Sequence, residues 1–120
     1  MSARIRKLEA ILEKLLEACE VESSAVVSSK GRVMAAILGE GVNEGAVSSM
    51  AAAMLSIGER VGSVLGTGKT QSLDIDCSEG IVLLRALPDN VLIVTAPADA
   101  KLGLIDHELN QAVQEIMQIL

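Results

Sequence analysis

No phenylalanine, tyrosine or tryptophan occurs in the 120 residues of this chain. Stacking on a nucleobase or sugar ring is thereby excluded. Half the residues are nonetheless apolar, so a core has to be packed densely from valine, isoleucine, leucine, methionine and alanine. Basic charge is scarce as well: 10 Lys and Arg stand against 16 Asp and Glu, for a net charge of −6, and no basic stripe is present. Without one, neither a phosphate backbone nor an anionic membrane surface can be neutralised, so no nucleic acid and no membrane partner is expected.

Long hydrophobic runs are also missing. The longest uncharged stretch, Gly45 to Gly58, is too short to span a bilayer and carries Ser48, Ser49 and Ser56. Met1 to Arg6 lead straight into a charged amphipathic segment with no secretory pattern, so a soluble cytoplasmic protein is expected. The length suits one domain over residues 1–120, and no internal repeat is visible. The only two cysteines, Cys19 and Cys77, lack a CxxC partner or a nearby histidine, and read as small buried hydrophobes rather than a disulfide, metal site or nucleophile.

From Ala3 to Cys19, Ile5, Leu8, Leu12, Leu15, Leu16 and Cys19 recur at helical spacing, while Arg6, Glu9, Glu13 and Glu17 fall on the other side. Ile11 lies off that stripe and is expected to touch a neighbouring element. Ser24–Ser29 and Arg32–Leu38 are β-prone and separated by Lys30-Gly31, a pair suited to a tight hairpin turn. Asn43 is placed to cap the next helix and Glu44 to complement its positive end.

That helix, about Glu44 to Leu65, carries Val47, Met50, Ala51, Met54, Leu55, Gly58, Val61 and Leu65 over more than one stripe. Ser48, Ser56, Glu59 and Ser63 are too little polar surface for a helix facing water, so it needs cover on two sides. Its own sheet supplies one. A second copy of the chain is the expected source of the other, with small residues at Ala51, Gly58 and Gly62 allowing close approach.

Beyond Gly66-Thr67-Gly68, Leu73, Ile75 and Cys77 alternate with Ser72, Asp74 and Asp76, as in an edge or dimer-pairing strand with one wet face. Ile81–Leu87 and Val91–Ala96 are apolar on both parities and read as antiparallel central strands. Asp99 is the expected cap of a last helix with Ile105, Leu109, Ala112, Ile116 and Ile119 on one stripe. The fold class is therefore α/β of the α+β kind, in the order helix, two strands, helix, three strands, helix. One mixed, mostly antiparallel five-stranded sheet is expected, with the terminal helices on one face and the middle helix on the other.

Three constellations invite a chemical reading and fail it. Gly66-Thr67-Gly68-Lys69-Thr70 ends like a phosphate-binding loop, but position 63 holds Ser63 where glycine is needed, and the segment follows a helix and opens a strand instead of the reverse. Asp74, Asp76, Ser78 and Glu79 resemble the start of a calcium loop, yet Gly80 comes one place late and Arg85 stands where the closing glutamate belongs. His107, the only histidine, is flanked by Asp106 and Glu108, which lie off its helix face, and no serine sits in a nucleophile elbow. No catalytic residue, no metal ligand and no cofactor site is assigned.

Taken in order, Ala25-Val26-Val27-Ser28-Ser29-Lys30-Gly31-Arg32-Val33, Ser49-Met50-Ala51-Ala52-Ala53-Met54, the Gly68 turn, Ile81-Val82-Leu83-Leu84-Arg85-Ala86-Leu87 and Lys101-Leu102-Gly103-Leu104 resemble the roadblock/dynein light chain family across essentially the whole chain. The resemblance implies a non-catalytic homodimer whose middle helices pack antiparallel and whose third strands join two sheets into one. Val47, Met50, Ala51, Met54, Leu55, Gly58, Ser72 and Asp74 are the expected interface residues. It further implies a Ras-like small GTPase or another roadblock-like subunit as partner, as in gliding-motility and lysosomal scaffold members, with Glu59 and Arg60 as rim contacts. A structural adaptor of a motor or scaffold complex, holding an extended peptide, is the alternative.

Overall fold

The computed structural model describes residues 2–120. Helix α1 (Ala3–Ala18) starts at Ser2, whose side chain accepts a hydrogen bond from the Ile5 N–H at 3.1 Å. Strands β1 (Ser23–Ser28) and β2 (Val33–Ile37) form a hairpin that turns at Lys30-Gly31, where Gly31 has a φ of 82°. Helix α2 (Glu44–Leu65) leads into β3 (Ser72–Cys77), β4 (Gly80–Leu87) and β5 (Asn90–Pro97), and α3 (Leu102–Ile119) closes the chain.

The sheet has the order β2-β1-β5-β4-β3. Every pairing in it is antiparallel, including that of β1 with β5, so the parallel pair allowed for in a mixed sheet is absent. The reason is topological. Helix α2 carries the chain over to the far edge, from which two hairpins step inward and bring β5 alongside β1 in the opposite direction.

Side-chain alternation along the strands sorts the core into two layers. On one face Leu8, Leu12 and Leu15 of α1 and Ile105, Leu109, Ala112 and Ile116 of α3 cover Val26, Leu83, Leu92 and Val94. On the other, Ala51 and Leu55 of α2 cover Ala25, Val27, Leu84, Val91 and Ile93. Ile11, off the main stripe, is buried because α1 packs on α3 as well as on the sheet: it lines the crevice between them beside Leu15 and Ala112. Lys14 and Glu115 pair across its mouth at 3.1 Å.

Asn43 caps α2 through a 3.0 Å bond from the Ala46 N–H to its side-chain oxygen. Asn43→Ala should lower the unfolding free energy by about 1 kcal/mol, read as a lower urea midpoint at unchanged slope. Asp99 does not cap α3. The turn closed by the Ala100 N–H on the Pro97 carbonyl leaves Asp99 outside the helix, and the cap position falls to Lys101, whose own N–H donates to Glu20 Oε1 at 2.9 Å.

Candidate functional site

Helix α2 has three sides. Ser48, Ala51, Leu55 and Gly62 are buried against the chain itself, and the Ser48 hydroxyl donates to the Gly45 carbonyl at 3.0 Å. Ser49, Ser56 and Ser63 mark an exposed polar flank. The third side is aliphatic and bare: Met50 is 57 % exposed, Ile57 59 %, Val61 52 %, Val64 84 % and Leu65 70 %. Their spacing keeps them on one stripe, and an exposed apolar strip of this length is uncommon unless something covers it.

The strip does not end at the helix. Its N-terminal half forms one wall of an open apolar trough of about 750 Å³ whose floor is the half-buried pair Ile75 and Val82 with the margin of Ile93. Val47, Met50, Ala53 and Met54 are the wall, and Leu38 and Val42 close one end. Polar groups are confined to the rim, where Ser23 and Thr95 hydrogen-bond each other next to Glu22. The trough exists because α2 lies mainly over β1, β2 and β5 and meets β3 near Leu73 and β4 near Leu84, leaving Ile75 and Val82 only half-covered on that face. Cys77 is exposed for the same reason, at the far end of β3, which corrects the expectation that both cysteines are buried; Cys19 is half-buried and both are free.

The residues expected at an interface divide accordingly. Met50 lies on the open strip, and Val47 and Met54 are half-buried at its margin beside the trough. Ala51 and Leu55 point into the chain's own core. Gly58 faces Thr70 and Leu73, and Gly62 the Gly68 carbonyl, so the small residues serve close contacts within the chain rather than spacing to a second helix. Ser72 and Asp74 lie exposed on β3, with Asp74 held by Arg85. Glu59 is half-buried beside the polar flank in a second hollow with Lys69, Thr70 and Asp89, and Arg60 is exposed at the outer side of α2. Ile57, Val61 and Val64 are missing from the expected set although their phase relative to Met50 marks them.

The other constellations are structural. Gly66, with a φ of 71°, ends α2 in the left-handed conformation, and the segment runs on into β3. Asp74 and Asp76 sit on a regular strand, and Ser78-Glu79 form its turn into β4. His107 is exposed one helical turn from Gln111, 3.2 Å between side-chain nitrogens. Among the described residues, no helix is long and apolar enough to cross a membrane, and no three His, Cys, Asp or Glu side chains cluster as a metal site would need.

Two helices on one face of an antiparallel sheet and a single, half-clad helix on the other define an α+β domain built around an unpaired helix flank. The sequence matches the Roadblock/LC7 domain family over residues 7–96, and the chain belongs to that family. Among solved structures it is similar to MglB of Myxococcus xanthus, with a TM-score of 0.93, 14 % identity and coverage of 99 % of this chain and 91 % of that one. A structure described as MglB with tetrameric arrangement gives 0.91 at 14 % identity, covering 99 % and 91 %. A Roadblock/LC7 domain from Streptomyces avermitilis gives 0.85 at 15 % identity, covering 92 % and 94 %. At these identities the likeness is one of fold. No curated protein sequence matches the chain.

Proposed function

We propose that the chain acts as a non-catalytic homodimeric regulator or docking platform for a Ras-like small GTPase. The observation that carries the dimer is the bare strip of α2 running into the apolar trough. A small ligand would fill the trough and leave Ile57, Val61 and Val64 wet, whereas a second α2 covers both. Area decides how much more is needed. A helix of 22 residues is about 33 Å long, so a strip about 10 Å wide offers roughly 330 Å², against about 800 Å² per partner in a stable interface. The trough floor and the adjoining free edge of β3 are the apolar and hydrogen-bonding surfaces that make up the difference.

The GTPase reading rests on family membership and on the resemblance drawn from the sequence. Glu59 lies in the hollow with Lys69 and Asp89, away from the trough, and Arg60 borders the bare strip beside Ile57 and Val61, so both would lie at the margin of a paired molecule. Added in excess to candidate Ras-like GTPases, the protein should bind one of them and alter its hydrolysis or exchange rate. Glu59→Lys and Arg60→Glu should weaken that binding while the dimer mass is unchanged. If no such GTPase binds or changes rate, the GTPase reading fails and the dimer stands apart from it. An adaptor reading is favoured by one feature, the open edge of β2 (Val33–Ile37), to which an extended peptide could add as a sixth strand.

A further inference from the structure

The sheet edge beside the trough is β3, and one hydrogen bond sets which of its backbone groups face outward. The Ala86 N–H donates to the Gln71 carbonyl at 2.9 Å, so the mutually bonded pairs of the β3–β4 ladder fall at Gln71, Leu73, Ile75 and Cys77. Ser72, Asp74 and Asp76 therefore direct their N–H and C=O groups toward any strand that joins the edge. Pairing of two β3 strands about a twofold axis is antiparallel, and the symmetry sets residues of the same parity opposite each other. Two registers leave only one residue of each strand unpaired. One places Asp74 opposite Asp74 of the partner subunit and Ser72 opposite its Asp76; the other places Asp74 opposite Asp76. In each, carboxylates of the two chains meet on one side of the seam with Cα atoms about 5.5 Å apart, and like charges so placed oppose pairing.

Arg85 answers that charge. It lies across from Ser72 in the ladder, with only 11 % of its side chain exposed. Nη1 donates to Asp74 Oδ1 at 2.8 Å and to the Leu84 carbonyl at 2.9 Å, and Nη2 donates to Asp106 Oδ1 of α3 at 3.2 Å. The two aspartates remain 55 % and 58 % exposed, so the guanidinium is fixed beneath a wet edge. Asp76 has no ion pair among the described residues.

Resting on the homodimer reading, we propose that Arg85 is the positioning residue that lets the β3 edge pair with its own twin. It holds Asp74 in a charge-assisted bond and brings one anchored positive charge from each chain to the seam. A second copy carries the same arginine; an acidic strand without one is repelled. The edge thereby selects its own kind.

The test is the dimer dissociation constant by sedimentation, at low and high salt, for the unmodified chain, Arg85→Met, Arg85→Met with Asp74→Asn, and Asp76→Asn. Arg85→Met should weaken the dimer about tenfold at low salt and less at high salt, and Asp74→Asn should restore most of the loss. Asp76→Asn, at an exposed position, keeps the test decisive should Arg85→Met fail to fold: it should tighten the dimer about threefold, with an unchanged circular dichroism spectrum. An unmodified chain that dimerises while Asp76→Asn and any folded Arg85→Met leave its constant unmoved overturns the role of Arg85 alone. An unmodified chain that stays monomeric removes the homodimer reading and this inference with it.

Discussion

Met50→Asp should turn the proposed dimer into a folded monomer. In the single chain Met50 is 57 % exposed, so an aspartate there stays hydrated and costs folding only the difference in helix propensity, about 0.5 kcal/mol. In the proposed dimer the same carboxylate would be buried in both copies without a partner. Taking each out of water costs at least about 1.5 kcal/mol, so the pair weakens association by a hundredfold or more, on the order of 3 kcal/mol. Ser63→Asp adds the same charge to the same helix on its exposed polar flank and should leave the mass unchanged. A dimer that survives Met50→Asp, or that Ser63→Asp disrupts equally, places the contact elsewhere.

The second large effect is on folding. Helix propensity alone favours Gly62→Ala by about 1 kcal/mol. Packing opposes it: a Cβ at Gly62 would stand 2.3 Å from the Gly68 carbonyl oxygen, a backbone atom that cannot swing aside as a side chain does. Relieving the clash means moving the Gly66–Gly68 turn, which the Thr67 N–H ties to the Gly62 carbonyl at 2.9 Å, or lifting the end of α2. Overpacking of this kind costs about 1–3 kcal/mol and the upper end applies, leaving a net loss of about 2 kcal/mol. Gly103→Ala in α3 is the matched control. Nothing lies within 4 Å of its added Cβ, so only the propensity gain remains and stability should rise by up to about 1 kcal/mol. Urea unfolding of both variants checks the pair, and a Gly62→Ala chain as stable as the parent contradicts the close approach.

Local pattern was enough for the elements. The spacing of Leu8, Leu12 and Leu15, the Lys30-Gly31 turn, the Asn43 cap and the Gly66 stop are each short-range chemistry, and each stands where the pattern puts it. Helix α2 shows the limit. Its shortage of polar residues announces that two sides need cover, but both stripes are aliphatic, so nothing local says which one meets the sheet. That choice separates Ala51 and Leu55, turned inward, from Met50, Ile57 and Val61, left bare. Long-range facts were equally hidden. The antiparallel match of β1 to β5 joins segments at opposite ends of the chain, and the bare state of Cys77 depends on where α2 stops covering the sheet. Arg85 is a lone charge in the otherwise apolar run Ile81–Leu87; only the fold brings Asp74 and Asp106 to it from two other elements.

Mixing isotopically labelled and unlabelled chains and recording magnetisation transfer between methyl groups of different copies reads the covering of α2 most directly. Contacts from Met50, Ile57 and Val61 of one chain to methyl groups of the other are the expected result. A particle of 12.5 kDa, the mass of a single chain, with no such transfer and those side chains in water, would contradict it.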